Sequence, residues 1–144
     1  MGKVTVQDIN IHRLKKIDLP GGGVLRGLRK SDQDYIGFGE AYFSQVDFGV
    51  IKAWKLHTKM TMNIMVPIGE VHFAFIDEMG GFRTETLGAN NYARLSVPPG
   101  IWFGFKGLAE TLSTLLNIAN IEHSPDEIER KELHEFQYNW EINK

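Results

Sequence analysis

Two residues in the segment 50–58 have the types and spacing for proton transfer. Strand alternation puts Lys55 and His57 on one face, roughly 6.5–7 Å apart along the chain. An ordinary lysine is protonated at neutral pH and is a poor base, but burial beside another cation lowers its pKa. Mutual repulsion favours one neutral partner. One of the two as a base, with the other as the cation that stabilises negative charge developing on a bound molecule, is open in either order, His57 being the more economical base. Tyr42, one segment earlier, could return a proton from the opposite side of a bound molecule. Glu40 and Ser44 beside Tyr42, Lys52 beside Lys55, and Asn63, Asn117 and Trp102 are the candidate substrate contacts. Arg26 and Arg29, with Lys30, follow a glycine-rich stretch. Guanidinium groups grip phosphate in a bidentate way, so these residues are a diphosphate site or a solvated loop. Gly21-Gly22-Gly23 is no phosphate loop, because the Gly-Lys-Ser/Thr part is missing. His72 reads as a structural or surface histidine, and His123 and His134 as solvated. Trp54 and Trp102 read as core residues or ring platforms.

These residues must be positioned by short strands. Fifteen glycines and five prolines punctuate segments rich in Val, Ile, Phe and Tyr. The expected strands are 9–14, 24–29, 39–46, 50–58, 61–68, 71–76, 82–87, 92–97, 101–105 and 111–119. Even spacing of this kind predicts an all-β sandwich or barrel. Ser124-Pro125-Asp126-Glu127 carries Ser at the cap, Pro next and Glu at the third position, which predicts a short C-terminal helix. The 144 residues fit one domain over 1–144. A formal charge of −2 argues against nucleic acid as a partner. The lack of cysteine excludes disulfides, thiolate zinc sites and cysteine nucleophiles. No apolar run is long enough to span a membrane, and residues 1–10 carry no signal-peptide core. The expectation is a cytoplasmic protein.

Alternation also sorts the faces. Glu40, Tyr42, Ser44 and Val46 oppose Ala41, Phe43 and Gln45. Ile51, Ala53, Lys55 and His57 oppose Lys52, Trp54 and Leu56. Thr61, Asn63 and Met65 oppose Met62, Ile64 and Val66. Three segments thus carry one mixed face each: Glu40/Tyr42/Ser44, Lys55/His57 and Thr61/Asn63. The opposite faces, with Phe43, Trp54 and Leu56 among them, are expected to fill the core. The mixed faces are either the wet exterior or the lining of a cavity. The early apolar residues Val4, Val6, Ile9 and Ile11 could pair with a partner's sheet or with the chain's own.

Gly49 to His57 followed by Thr61 to Gly69 resembles the first cupin motif, and Ser96 to Phe103 the second. More narrowly, the chain resembles the dTDP-4-dehydrorhamnose 3,5-epimerase family. Gly49 to Lys55 matches its GVxxGxH signature, and Val97 to Phe105 its IPxGFxHGF signature. Ala109-Glu110 matches an alanine–glutamate pair, and Ser124 to Glu127 with Trp140 the terminal hPxxE…W. The resemblance covers most of residues 35–144. It implies a cupin-type jelly-roll of two antiparallel sheets, commonly a homodimer, with a nucleotide-linked 4-keto-6-deoxy sugar bound inside. Epimerisation or isomerisation of that sugar for cell-surface polysaccharide is the implied activity.

The chain departs from the family pattern at four places. Lys55 stands where the family has its base histidine, and Phe103 replaces the histidine of the second signature. No acid stands near Gly107, where the histidine's orienting aspartate falls. The acid tyrosine falls near Leu116 or Asn117. Of the cupin metal ligands only His57 stands, so no metal is expected, and no cofactor. The departures keep a second reading open: a catalytically silent cupin that binds a sugar nucleotide or scaffolds a partner enzyme.

Overall fold

The regular recurrence of apolar residues yields strands almost throughout the computed structural model, which describes residues 3–141. In chain order these are β1 (Asn10–Arg13), β2 (Lys16–Ile17), β3 (Val24–Leu25), β4 (Glu40–Val46), β5 (Ile51–His57) and β6 (Met62–Ile68). There follow β7 (Glu70–Ile76), β8 (Phe82–Gly88), β9 (Ala93–Val97), β10 (Trp102–Gly107), β11 (Ser113–Ala119) and β12 (Ile128–Arg130). Two five-stranded antiparallel sheets form, ordered β1-β9-β6-β11-β4 and β12-β5-β10-β7-β8, with β2 and β3 as a small ribbon. This is the all-β sandwich expected from the strand spacing, in the jelly-roll form that the resemblance implies. No helix among the described residues is long and apolar enough to cross a membrane.

The sheets face each other over one apolar layer. Met62, Ile64, Val66, Leu95, Val97 and Leu115 of the first sheet pack against Val71, Phe73, Phe75 and Phe103 of the second. Each such side chain, fully buried, contributes roughly 1.5–3 kcal/mol. Val6 and Ile9 also enter this core, and β1 pairs with β9 of the same chain. The tight β6–β7 connection requires Gly69. Its φ is +90°, and a Cβ there would lie 2.1 Å from the Ser113 hydroxyl oxygen.

A second apolar cluster lies on the outer face of the second sheet: Trp54, Leu56, Ala74 and Trp102 beneath Phe136, Tyr138 and Trp140. The segment after β12 thus acts as a strap. Trp54 Nε1 donates to the Leu133 carbonyl (3.1 Å), and Lys106 Nζ to that of Trp140 (2.9 Å).

Four expectations are corrected. The C-terminal helix is only a 3-10 turn, Pro125–Glu127, that passes straight into β12. Ser124 makes no side-chain cap, and the Glu127 carboxylate bonds His57 and the Lys59 and Met60 N–H groups rather than the Ser124 N–H. Phe43 is not core but 69 % exposed, since β4 is an edge strand with an uncovered outer face. Thr61 and Asn63 do not share the inner layer, because Met62, Ile64 and Val66 take it. The face assignment of β5 fails in its first half. Phe103 pairs with Lys55 but Gly104 with Ala53, so Trp54 is the extra residue of a bulge. The bulge turns Lys52 inward with Lys55, while Ala53, Trp54 and Leu56 face the strap.

Candidate functional site

An inner cavity of about 600 Å³ opens between the sheets. Its floor is apolar: Met62, Ile64, Phe73, Phe103, Phe105 and Leu115. Against that floor stand a few polar groups, as in most small-molecule sites. Tyr42 and Ser44 come from β4, Asn117 from β11, Lys52 and Lys55 from β5. The mouth is rimmed by Arg130 from the end of β12 and by Lys131, Glu132 and Glu135 from the strap. Tyr42 and Lys55 therefore reach the cavity from opposite sheets. The polar lining is not one face of three neighbouring strands, because β4 and β5 belong to different sheets and β6 turns its polar residues away.

The Tyr42 hydroxyl accepts from Asn117 Nδ2 (2.9 Å) and points its own hydrogen at the Met60 sulfur (3.9 Å). Burial pushes its pKa up, only partly opposed by the Asn117 bond, so the phenol keeps its proton at neutral pH. Asn117 is fixed in turn, accepting from the Asn63 backbone N–H (3.1 Å).

Lys55 is half-buried. In the sheet register it sits directly opposite Arg130 on one side and Phe103 on the other. Burial, then the like charge of Arg130, holds its pKa below the ordinary lysine value. Lys52 donates to the Gln45 carbonyl (2.7 Å), and the Lys131 ammonium lies 5.3 Å over the Trp102 ring and 5.2 Å over Phe136.

His57 is 3 % exposed and does not line the cavity. Its Nδ1 donates to Glu127 Oε2 at 2.5 Å. The other oxygen, Oε1, accepts the N–H groups of Lys59 (3.0 Å) and Met60 (2.9 Å). Burial alone would raise the Glu127 pKa, but the bonds from His57, Met60 and Lys59 outweigh it and hold it low. Burial lowers that of His57, against the opposing pull of Glu127, so the ring is neutral at pH 7. A carboxylate can only accept, so Nδ1 carries the proton and Nε2 is a bare acceptor. Nε2 is buried without a partner among the described residues, and the Phe103 ring stacks on the imidazole at 6.0 Å.

Sequence reasoning found no acid to orient His57 and missed Glu127. The residue was already singled out, but as a helix-capping glutamate. Its position in the terminal motif, two residues after Pro125, was the available signal.

Of the other expected contacts, Ser44, Lys52 and Asn117 converge on the cavity with Tyr42 and Lys55. Glu40, Asn63, Arg26, Arg29 and Trp102 lie elsewhere. Glu40 accepts the His123 backbone N–H (2.9 Å). Trp102 is sealed under the strap. Arg26 and Arg29 line a separate cavity of about 460 Å³, with His12, Arg13, Lys15 and Arg94. Arg94 is 3 % exposed there and is balanced by Asp32 (3.5 Å) and Asp34 (3.8 Å), while its Nη1 donates to Asn63 (2.7 Å). His72 is structural, bonded to the Thr86 hydroxyl (2.8 Å) and to the Tyr138 hydroxyl (2.6 Å).

Three proteins are similar to this chain, in sequence, in fold or in both. A dTDP sugar isomerase from Desulfovibrio desulfuricans G20 is 34 % identical, over 93 % of this chain and 90 % of that one, with a TM-score of 0.87. The spore coat polysaccharide biosynthesis protein SpsL of Bacillus subtilis is 28 % identical over 118 residues, 77 % of this chain and 78 % of its own length. A dTDP-4-dehydrorhamnose 3,5-epimerase of Bacillus anthracis, solved with TDP and pyrophosphate, is 17 % identical and supports the fold. The match covers 99 % of this chain and 90 % of that one, with a TM-score of 0.81. No family model matches the chain.

Proposed function

From the premise that this chain belongs to the family of the dTDP-4-dehydrorhamnose 3,5-epimerases and related dTDP-sugar isomerases, we propose that it epimerises or isomerises a dTDP-linked 4-keto-6-deoxy sugar for polysaccharide or glycan synthesis. The single observation that carries this reading is the pairing of Lys55 and Tyr42 across a cavity with an apolar floor and a charged mouth, where Arg130 and Lys131 stand beside Glu132 and Glu135. A proton next to a ketone can leave toward one sheet and return from the other, which inverts the carbon. Lys52, Arg130 and Lys131 offer three cations to a diphosphate at the mouth, and the floor offers Phe103 and Phe105 to a sugar or base ring.

The finer assignment is epimerisation at C3 or C5. The catalytic pair is Lys55 and Tyr42, and His57 stands in the layer behind Lys55 without lining the cavity. Ser44, Lys52 and Asn117 contact the substrate. A homodimer and a cytoplasmic location belong to the same proposal. The exposed Phe43 on edge strand β4 supports the dimer, and sedimentation equilibrium of wild type against Phe43→Glu reads it, with a monomeric wild type sinking it.

The decisive experiment is proton NMR with dTDP-4-keto-6-deoxyglucose in D₂O. Loss of the C3 or C5 proton signal is expected. One observation favours the silent-binder reading instead, namely the lysine at the family's histidine position. Broadened nucleotide resonances without exchange would establish that reading. Neither exchange nor broadening would remove the sugar-nucleotide claim.

A further inference from the structure

We propose that Lys55, as a neutral amine, is the general base that removes the proton beside the substrate's keto group, and that His57 with Glu127 is a positioning pair behind it. The inference rests on the epimerase or isomerase reading above.

The geometry separates the two candidate bases. Lys55 lines the cavity, and among the described residues nothing makes a hydrogen bond or ion pair to its ammonium nitrogen. The neighbouring lysines of the cavity are engaged, Lys52 with a backbone carbonyl and Lys131 with two aromatic rings. An amine without a partner beside an apolar floor keeps its lone pair available. The register adds to this. Arg130 and Phe103 flank Lys55 on its two neighbouring strands. Like charges directly opposite each other on antiparallel strands disfavour the doubly charged state, and an apolar ring gives no compensating solvation.

His57 has the opposite surroundings. Its free nitrogen is closed to solvent and covered by Phe103. Its bound nitrogen is tied to a carboxylate that also holds two backbone N–H groups of the turn after β5. That carboxylate joins the end of β5, the turn 58–60 and the entry to β12. It thereby fixes the two strands that carry Lys55 and Arg130. A ring so placed cannot touch a substrate in the cavity, but it can decide where the Lys55 backbone stands.

The proton inventory closes. The Lys55 lone pair takes the proton from the carbon next to the ketone. The C–H electron pair becomes the C=C bond, and the carbonyl π pair moves to oxygen, giving the enolate. The Ser44 hydroxyl is a donor at the cavity for that oxygen. Tyr42 then donates its hydroxyl proton to the opposite face of the same carbon as the enolate collapses to the ketone. The Lys55 ammonium and the Tyr42 phenolate reset by proton transfer through water.

The test uses the same D₂O exchange assay on the full chain. Lys55→Ala should lose at least ~100-fold in exchange while still broadening the nucleotide resonances. Added methylamine or ethylamine should restore it at least tenfold, more strongly for the more basic amine. Lys55→Arg, which keeps the charge but cannot act as a base, should be as slow as Lys55→Ala. His57→Asn and Glu127→Gln should lower the thermal midpoint, stay within about tenfold of wild-type exchange and gain nothing from added amine. Wild-type exchange rates in Lys55→Arg would reduce Lys55 to a charge and overturn the proposal. Loss of exchange in folded, nucleotide-binding His57→Asn would overturn it in favour of the imidazole. Borohydride trapping of the sugar nucleotide on Lys55 would overturn it in favour of a Schiff base. A wild type without exchange would instead defeat the functional reading itself.

Discussion

The two faces of the β12-β5-β10-β7-β8 sheet are built from alternate residues of the same strands, and they treat polar groups in opposite ways. On the outer face the polar atoms are paired. His72 is bonded through both ring nitrogens, and Trp54 and Lys106 each hold a strap carbonyl. On the inner face Lys55 has no hydrogen-bond partner among the described residues, inside a cavity and with a like charge in register beside it. Satisfied polar groups hold a structure together, while unsatisfied ones in a pocket are kept at a cost to stability. The comparison assigns stability to the face that the strap covers and chemistry to the face that the two sheets enclose.

The largest effect that would sharpen this contrast comes from Tyr42→Phe. The substitution removes one oxygen from the inner face and leaves the ring in place. Turnover should fall by about 10²–10⁴-fold, the usual size for a lost general acid. The thermal midpoint should change little, because the hydroxyl holds only Asn117 Nδ2 and a long contact to the Met60 sulfur. Steady-state kinetics beside thermal unfolding separates the two. A large drop in midpoint with preserved turnover would make Tyr42 a structural residue and erase the contrast on this side.

Much of this contrast was legible in the sequence, and the part that was not has identifiable causes. Strand existence followed from alternation and glycine spacing, which are local. Lys55 and His57 share a face because no bulge falls between them. Lys52 was misplaced because a bulge at Trp54 inverts the parity of everything before it, and a bulge leaves no mark in residue types. Phe43 was placed in the core because alternation identifies an apolar side chain without saying whether another layer covers it. Glu127 was read as a cap because a capping box is a four-residue, local pattern. Its actual partner is His57, seventy residues away in sequence, and pairings of that span are set by topology. Arg26 and Arg29 were grouped with the site on chemistry alone, and chemistry does not say which side of a sheet a loop crosses.

A middle-sized effect tests the outer face through pH. Burial, then the charge of Lys106, holds His72 below the ordinary value of 6.5. As pH falls through 6.5 the unfolded chain takes up the proton first, so folding stability falls from about pH 7 down to the folded pKa and then levels off for this group. His57 acts in the same direction. Glu127 and Asp77, both held low, contribute stability above their ordinary values of 4.5 and 3.8 that is lost only in stronger acid. Urea midpoints of wild type should therefore drop between about pH 7.5 and 5.5. In His72→Gln the drop should be shallower, because one of the two histidines that burial holds low is gone. An unchanged slope would mean that the outer-face histidine is not buried neutral, and the claim that this face is fully paired would fail.

The smallest effect is expected at Lys131, where the two faces meet. Its ammonium lies over Trp102 and Phe136 of the outer cluster while the residue also rims the inner cavity. A half-buried cation–π contact contributes about 0.5–2 kcal/mol, so Lys131→Met, which keeps the aliphatic stem, should cost no more than that in stability. If the charge also meets a substrate diphosphate, KM should rise severalfold with kcat unchanged, since binding at the mouth is the same in ground and transition states. A fall in kcat would instead mean that the strap sets the position of Arg130 and, through the register, of Lys55. The outer face would then govern the chemistry of the inner one, and the division between the two faces would no longer hold.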